Sequence, residues 1–256
     1  MLTRERQSII RSRLDLAGKV VAAELSAEFG VSEDTIRRDL REMAAAGLCE
    51  RVYGGALKVP ALRPYGERLG ENRALKARFA QVIADRLPDG GLVFIDSGST
   101  NLAVAEAVPA DRQFAVVTNA PAIAATLMLR ENVEVIMTGG RVDRDLGAAV
   151  DATALAAIEN LRPDLFVMGT CGIDPVRGVF ADRWDEYRLK RAVADRSARL
   201  IAAVERSKVG NGAPYHIADF SPAITLVAEP AIDETDIKTI EAAGAEIVRL
   251  EEEVSK

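Results

Sequence analysis

The stretch Val31-Ser32-Glu33-Asp34-Thr35-Ile36-Arg37-Arg38-Asp39-Leu40 reads as the start of a short helix with two opposed faces. Ile36, Leu40 and Met43 recur at i, i+4 and i+7, so one side is apolar and turned to a core. Arg38 and Arg41 point nearly the other way, flanked by Thr35 and Arg37. Ser32 is a natural N-cap, and Glu33 and Asp34 suit the positive end of the helix dipole. Guanidiniums on such a surface grip phosphate in a fork and read guanine O6 and N7. The arginines alone fit a solvated charged face equally well, so their neighbours decide the matter.

Upstream, residues 3–16 carry Ile9, Ile10 and Leu14 and read as a first helix. Residues 20–29 follow, with Val21, Leu25 and Phe29 at helical spacing, and Gly30 stops them as a C′ residue does. Two short helices joined by a tight Gly turn, the second cationic, predict a helix-turn-helix. After Gly47 the character changes. Two strand-like runs between Leu48 and Val59 flank Gly54-Gly55, a hairpin signal, and Arg51 and Tyr53 make it a wing able to touch backbone phosphates or the minor groove.

The 256 residues allow one large domain or two unequal ones, and the spacing predicts residues 1–59 as a small domain, 60–73 as a linker and 74–256 as the larger domain. The net charge of −6 sits badly with a DNA binder, but it is unevenly spread. Residues 1–60 hold ten Lys/Arg against nine Asp/Glu, which leaves −7 for the rest. Two cysteines, Cys49 and Cys171, and a single histidine, His216, predict no disulfide framework, no metal centre and no Ser-His-Asp triad; His216 reads as structural. No apolar run approaches the roughly 20 residues of a membrane span, so the expectation is a soluble, cytoplasmic protein.

From residue 74 onward, apolar strands alternate with amphipathic helices. Strands are expected at 91–96, 114–118, 133–138, 165–169, 200–204, 225–228 and 246–250. The pattern predicts an α/β domain with a mostly parallel sheet covered on both faces, whose ligand lies beyond the carboxyl ends of the strands. Those ends carry Asp96-Ser97-Gly98-Ser99-Thr100, then Thr118-Asn119, then Gly139-Gly140-Arg141, then Gly172, followed by Glu186, Lys190 and Lys208. Small hydroxylated residues at a helix amino end cradle an anion through free N–H groups, dipole and hydroxyls. One such loop needs Gly and Ser merely to turn. Four with the same chemistry predict a phosphorylated small ligand.

The run VSEDTIRRDL, an Arg in the wing and a Gly-Gly-Ala hairpin together resemble the amino-terminal domain of the DeoR family of bacterial transcriptional regulators. The resemblance implies that the TIRRDL helix enters the major groove, through Ser32, Thr35, Arg37 and Arg38, with Arg51 in the wing. That family usually has His before Gly-Gly-Ala; here Tyr53 stands there, which removes a cation. The motifs IDSGST, VTN, TGGR, GxxGID, the Glu186 and Lys190 pair and Ser207-Lys208 resemble the family's carboxy-terminal domain. That implies a sugar-phosphate effector domain with a ribose-5-phosphate isomerase-like or deaminase-like fold. It assigns the effector to Asp96, Ser97, Gly98, Ser99, Thr100, Thr118, Asn119, Gly139, Gly140, Gly172, Glu186, Lys190 and Lys208. Several runs are similar to the glycerol-3-phosphate-responsive branch, although Glu205 stands where an Asp is usual and residues 175–177 and 182–185 form an unusual lip.

Three classes of function follow. The first is a regulator, most often a repressor, that binds operator duplex as a homodimer or homotetramer and answers to a phosphorylated sugar or polyol, without cofactor or catalytic residues. The second is a sugar-phosphate isomerase or deaminase with an appended DNA-binding domain, using Asp174, Asp182 or Glu186 as base. The third is an architectural DNA binder without a ligand, which leaves the strand-end pattern unexplained.

Overall fold

The computed structural model describes residues 2–45, 48–58, 63–210 and 213–251. The chain divides into two compact units, Met1–Ala61 and Leu62–Lys256.

The first unit is three helices on a small sheet: α1 (Thr3–Ala17), β1 (Lys19–Val21), α2 (Ala22–Phe29), α3 (Glu33–Ala45), β2 (Glu50–Val52) and β3 (Gly55–Leu57). Ile10, Leu14, Leu25, Ile36, Leu40, Met43 and Ala56 form its core, so the apolar stripe of α3 faces inward as its spacing predicts. Gly30 adopts φ 64° and its N–H reaches the Ser26 carbonyl, while the Ser32 hydroxyl accepts the Thr35 N–H at 3.2 Å. One expectation needs correcting. Residues 20 and 21, read as the start of the second helix, belong instead to strand β1, paired antiparallel to β3 in the order β1-β3-β2. Gly55 is the reason: a Cβ there would lie 2.0 Å from the Val20 carbonyl oxygen. Gly55→Ala should therefore cost about 1–3 kcal/mol by overpacking against backbone, read from the melt of the amino-terminal unit.

The second unit opens with α4 (Tyr65–Arg68) and α5 (Arg73–Ala84). It continues through β4 (Leu92–Ile95), α6 (Ser99–Glu106), β5 (Phe114–Thr118), α7 (Pro121–Leu127) and β6 (Val133–Met137). A ribbon, β7 (Val142–Asp143) and β8 (Ala148–Ala149), leads to α8 (Ala152–Ile158) and β9 (Leu165–Met168). Then come β10 (Gly172–Asp174), β11 (Gly178–Ala181), α9 (Trp184–Ala194), β12 (Leu200–Val204), β13 (Tyr215–Ala218), β14 (Ile224–Ala228), α10 (Glu234–Ala242) and β15 (Glu246–Arg249).

The central sheet has seven strands, all parallel, in the order β15-β14-β12-β9-β4-β5-β6. Alternate residues of one strand enter two cores. Phe94 and Phe166 pack beneath α8, α9 and α10, while Val93, Ile95 and Val167 pack beneath α5, α6 and α7. Burial on both faces explains why these strands read as unbroken apolar runs. The chain winds outward from β4 to β6, then returns to β9 and winds the other way, so the topological switch lies between β4 and β9. An antiparallel sheet β10-β11-β13 was not foreseen from the sequence.

The stretch read as a linker, 60–73, lies partly outside the described residues. From Arg63 onward it is bonded into the second unit: Arg63 pairs with Glu71 at 2.5 Å and the Tyr65 N–H donates to the Asp145 carbonyl at 2.9 Å. Pro64 is the N-cap residue of α4 and Gly66 lies within that helix.

Candidate functional site

On α3 the side opposite the core carries exposed Arg37, Arg38 and Arg41, with Thr35 half-buried beside them. Two of the three guanidiniums are already engaged. Arg37 meets Glu33 at 2.6 Å and Asp34 at 3.5 Å, and Arg38 meets Glu42 at 3.1 Å. These i,i+3 and i,i+4 pairs are exposed and worth only a few tenths of a kcal/mol each, so an incoming phosphate displaces them readily. Arg51 lies exposed on β2, and Tyr53 stands fully exposed at the hairpin tip beside Gly54. Sequence reading missed Asp39, which points inward. It is buried against the Arg6 guanidinium of α1, whose Nη2 donates to Oδ1 at 3.0 Å.

In the second unit, the ends of β9, β4, β5 and β6 stand side by side. At the switch point sits Lys190 of α9, only 1% exposed. Its Nζ lies 3.2 Å from Asp96 Oδ2 and 2.9 Å from Glu186 Oε1, and donates to the Gly169 carbonyl. The Cys171 thiol donates to the same Glu186 oxygen at 3.1 Å. Burial would raise Glu186, but the Lys190 charge and the hydrogen bonds from Lys190 and Cys171 outweigh it and hold the carboxyl below its ordinary range. Burial would lower Lys190, but Asp96, Cys171 and Glu186 hold the ammonium well above its ordinary value. Cys171 is pushed up to about 12, by burial first and Glu186 second, against the pull of Lys190 and Lys208. That thiol is inert, and Lys208 on its short turn is near enough to act on it.

Two buried oxygens here have no hydrogen-bond partner, Glu186 Oε2 and Asn119 Oδ1. An unpaired buried acceptor costs about 1–3 kcal/mol, so each marks a place where a donor is expected. Gly98 is the N-cap residue of α6 with φ 138° and ψ 151°, a conformation only glycine tolerates, so the helix has no side-chain cap from that position. Asn101, also missed, donates to the carbonyls of Asp96 at 2.9 Å and Val167 at 3.2 Å and so stitches the two sides of the switch together. Among the described residues no cluster of three or more His, Cys, Asp or Glu is placed to hold a metal ion, and no helix is long and apolar enough to cross a membrane.

Comparison with known proteins agrees with this architecture. A DeoR-like helix-turn-helix domain matches residues 6–59, and a DeoR C terminal sensor domain matches residues 71–229. The chain belongs to the DeoR family of transcriptional regulators. The HTH-type transcriptional regulator GlpR of Haloferax volcanii is 33% identical over 252 residues, spanning 97% of this chain and 98% of its own. The glycerol-3-phosphate regulon repressor of Escherichia coli (strain K12) is 33% identical over 227 residues, 87% of this chain and 90% of that one. A ribose 5 phosphate isomerase A structure from Neisseria gonorrhoeae overlaps 53% of this chain and 52% of its own, with TM-score 0.39 and 14% identity.

As a DeoR-family chain, this one is a DNA-binding regulator and not an enzyme. Its strand-end residues are not all equivalent. Asp96, Glu186 and Lys190 form one bonded group. Ser97 is buried on the same loop, with Ser99 and Thr100 opening α6. The Thr118 hydroxyl is spent internally, donating to the Ile95 carbonyl at 2.7 Å and accepting the Ala120 N–H at 3.1 Å. Gly139 and Gly140 follow the edge strand β6, where a Cβ on Gly140 would strike Asp151 at 2.4 Å. Gly172 is buried in β10 opposite Phe180. His216 packs on the Phe180 ring, 3.1 Å from Asp219.

Proposed function

We propose that this regulator represses a sugar or polyol catabolic operon and is released by a phosphorylated effector held at the switch between β4 and β9. Glycerol 3-phosphate is the first candidate, a hexose or pentose phosphate the second. The observation that carries the reading is the buried Asp96–Lys190–Glu186 group with its unpartnered Glu186 and Asn119 oxygens. Lys190 is neutralised by two carboxylates, so the phosphate belongs elsewhere: on the N–H groups and hydroxyls of residues 97–100, with Lys208 as the cation. The Glu186 and Asn119 oxygens then accept from the ligand's hydroxyls. Gly139, Gly140 and Gly172 shape the walls, and Thr118 holds the end of β5 in place. Similarity to the glycerol-3-phosphate regulon repressor over most of the chain supports the first candidate.

The other arm of the proposal is operator recognition by Ser32, Thr35, Arg37, Arg38 and Arg41 in the major groove and by Arg51 and Tyr53 at the wing. The working form is a cytoplasmic homodimer or homotetramer, since a two-fold operator calls for paired helices. Arg37→Ala or Arg38→Ala should each weaken operator binding by roughly 1–3 kcal/mol while leaving the fold intact. Shift assays at matched salt check this; wild-type binding by both variants would remove α3 from the groove.

For the effector, calorimetry should show glycerol 3-phosphate binding far more tightly than glycerol. Lys208→Ala should raise the effector concentration for operator release by roughly 10- to 100-fold, the worth of one charge-assisted hydrogen bond, without changing operator affinity in its absence. Equal affinity for the phosphorylated and free compounds would sink the phosphate reading.

A further inference from the structure

The β7–β8 ribbon touches both the crevice and the first helix of its unit. At its start, Asp143 accepts two bonds from Arg183, from Nη2 at 2.6 Å and from Nη1 at 3.2 Å. Arg183 is the N-cap residue of α9, one turn before Glu186 and two before Lys190. At the ribbon's end, the Ala149 N–H donates to the Asn119 carbonyl at 2.9 Å, and Asn119 Nδ2 donates back to the Ala149 carbonyl at 3.3 Å. The ribbon is thus anchored to the two elements that bear the unpartnered oxygens, α9 and the end of β5.

Between those anchors the turn Asp145-Leu146-Gly147 grips α4. Asp143 Oδ1 shapes the turn by accepting the N–H groups of Asp145 at 2.9 Å and Leu146 at 3.0 Å. The Tyr65 N–H donates to the Asp145 carbonyl at 2.9 Å, and Arg68 Nη2 donates to the carbonyls of Asp145 at 3.2 Å and Leu146 at 3.5 Å. The Tyr65 ring lies over Gly147, where a Cβ would come within 2.5 Å of the ring. In sequence, α4 is the first described helix after the wing strand β3.

We propose that this ribbon, locked by Arg183 and Asp143, couples effector occupancy to the segment that leads into the DNA-binding unit. The proposal rests on the effector reading above. A ligand that donates to Glu186 or Asn119 acts on the two elements from which the ribbon hangs. Any shift of α9's amino end or of the β5 loop displaces Asp143 or Ala149, and with them the seat of Tyr65. The same carboxylate organises both the latch and the turn, so Asp143→Asn weakens the latch to Arg183 while its remaining oxygen can still accept the turn's N–H groups. Contiguous contact alone makes a route possible; a change in coupling energy is what demonstrates it.

The test uses the full chain, glycerol 3-phosphate, ribose 5-phosphate and fructose 6-phosphate as probes, and a duplex selected from a random-sequence pool as operator. Three quantities are measured for wild type, Asp143→Asn, Tyr65→Ala and the reversed pair Asp143→Arg with Arg183→Asp. They are effector affinity by calorimetry, operator affinity without effector, and operator affinity at saturating effector. Wild type should show a ratio of the two operator affinities of roughly 5- to 150-fold. Asp143→Asn and Tyr65→Ala should bring that ratio to within about twofold of unity, with effector affinity and effector-free operator affinity each within about threefold of wild type. The reversed pair should recover part of the ratio. Wild-type coupling in both single variants overturns the proposal, as does coupling lost only in proportion to effector affinity, which makes the ribbon a mere pocket wall. If wild type binds none of the phosphorylated probes, the effector reading fails and takes this proposal with it. If wild type binds and the variants couple normally, the ribbon alone is refuted.

Discussion

Lys190→Met is expected to destabilise the carboxy-terminal unit by about 3–5 kcal/mol at neutral pH, the cost of leaving buried charge without its partner. The side chains of Lys190 and Asp96 are each 2% exposed and that of Glu186 6%, so solvent cannot replace the lost cation. Methionine fills nearly the same volume, which keeps the cavity contribution small. The exposed pair Arg249 and Glu234 at 2.7 Å is the control, where the same exchange should leave the melt nearly unchanged because water and salt screen both charges. The pH dependence separates charge from packing. Glu186 is depressed in the folded wild type, so its contribution is present above its unfolded value near ~4.3 and lost as pH falls through the lower folded value. Lys190 is raised, so its contribution is present below ~10.4 and lost as pH rises through the higher folded value. Without the ammonium, burial pushes Glu186 upward instead, and the variant should regain stability as pH falls toward about 5. Urea melts at pH 5 and 8 check this. A penalty that does not change between them would mean that Lys190 acts through packing alone.

How much of this was legible depends on the range of each interaction. The apolar stripe of Ile36, Leu40 and Met43, the Ser32 cap and the Gly30 stop are local, and each sits where its spacing indicates. The parallel sheet was legible because strands buried on both faces must be apolar throughout. Strand β1 was not, because Lys19-Val20-Val21 continues a helical pattern and becomes a strand only when Gly55 lets β3 approach it. The strand-end motifs were visible as chemistry. Their ranking was not, because the order that puts β9 beside β4 cannot be read along the chain. Only that order brings Asp96 and Gly169 to the same lysine and leaves Gly139-Gly140 two strands away.

Asp39→Ala should weaken operator binding and lower the melt of the amino-terminal unit without touching one exposed arginine. In the run of residues 35–40 this aspartate looks like a surface acid between two cationic positions. It lies instead on the buried side of α3, 2% exposed, and holds the Arg6 guanidinium through both carboxylate oxygens. The hydrogen bond with Asp39 raises the guanidinium above its already high ordinary value against the cost of burial, so Arg6 has no neutral form to retreat to. Truncating Asp39 leaves that cation buried between α1 and α3. The unit is small and water is never more than a side chain away, so the cost falls at the lower end of the usual range, about 3 kcal/mol. A unit of Met1–Ala61 has roughly 3–9 kcal/mol in all, so the loss takes a third or more of it. Melting should show an early transition for the amino-terminal unit with the carboxy-terminal one unchanged, whereas Arg38→Ala should weaken DNA binding with no early transition. The double variant Arg6→Met with Asp39→Leu distinguishes a structural pair from a DNA contact. An apolar pair of similar volume restores a buried ion pair's stability, so the double variant should regain both the late melt and operator affinity. If it regains the melt but not the affinity, Arg6 or Asp39 touches DNA directly. If Asp39→Ala melts and binds like wild type, the pair does not hold the unit together.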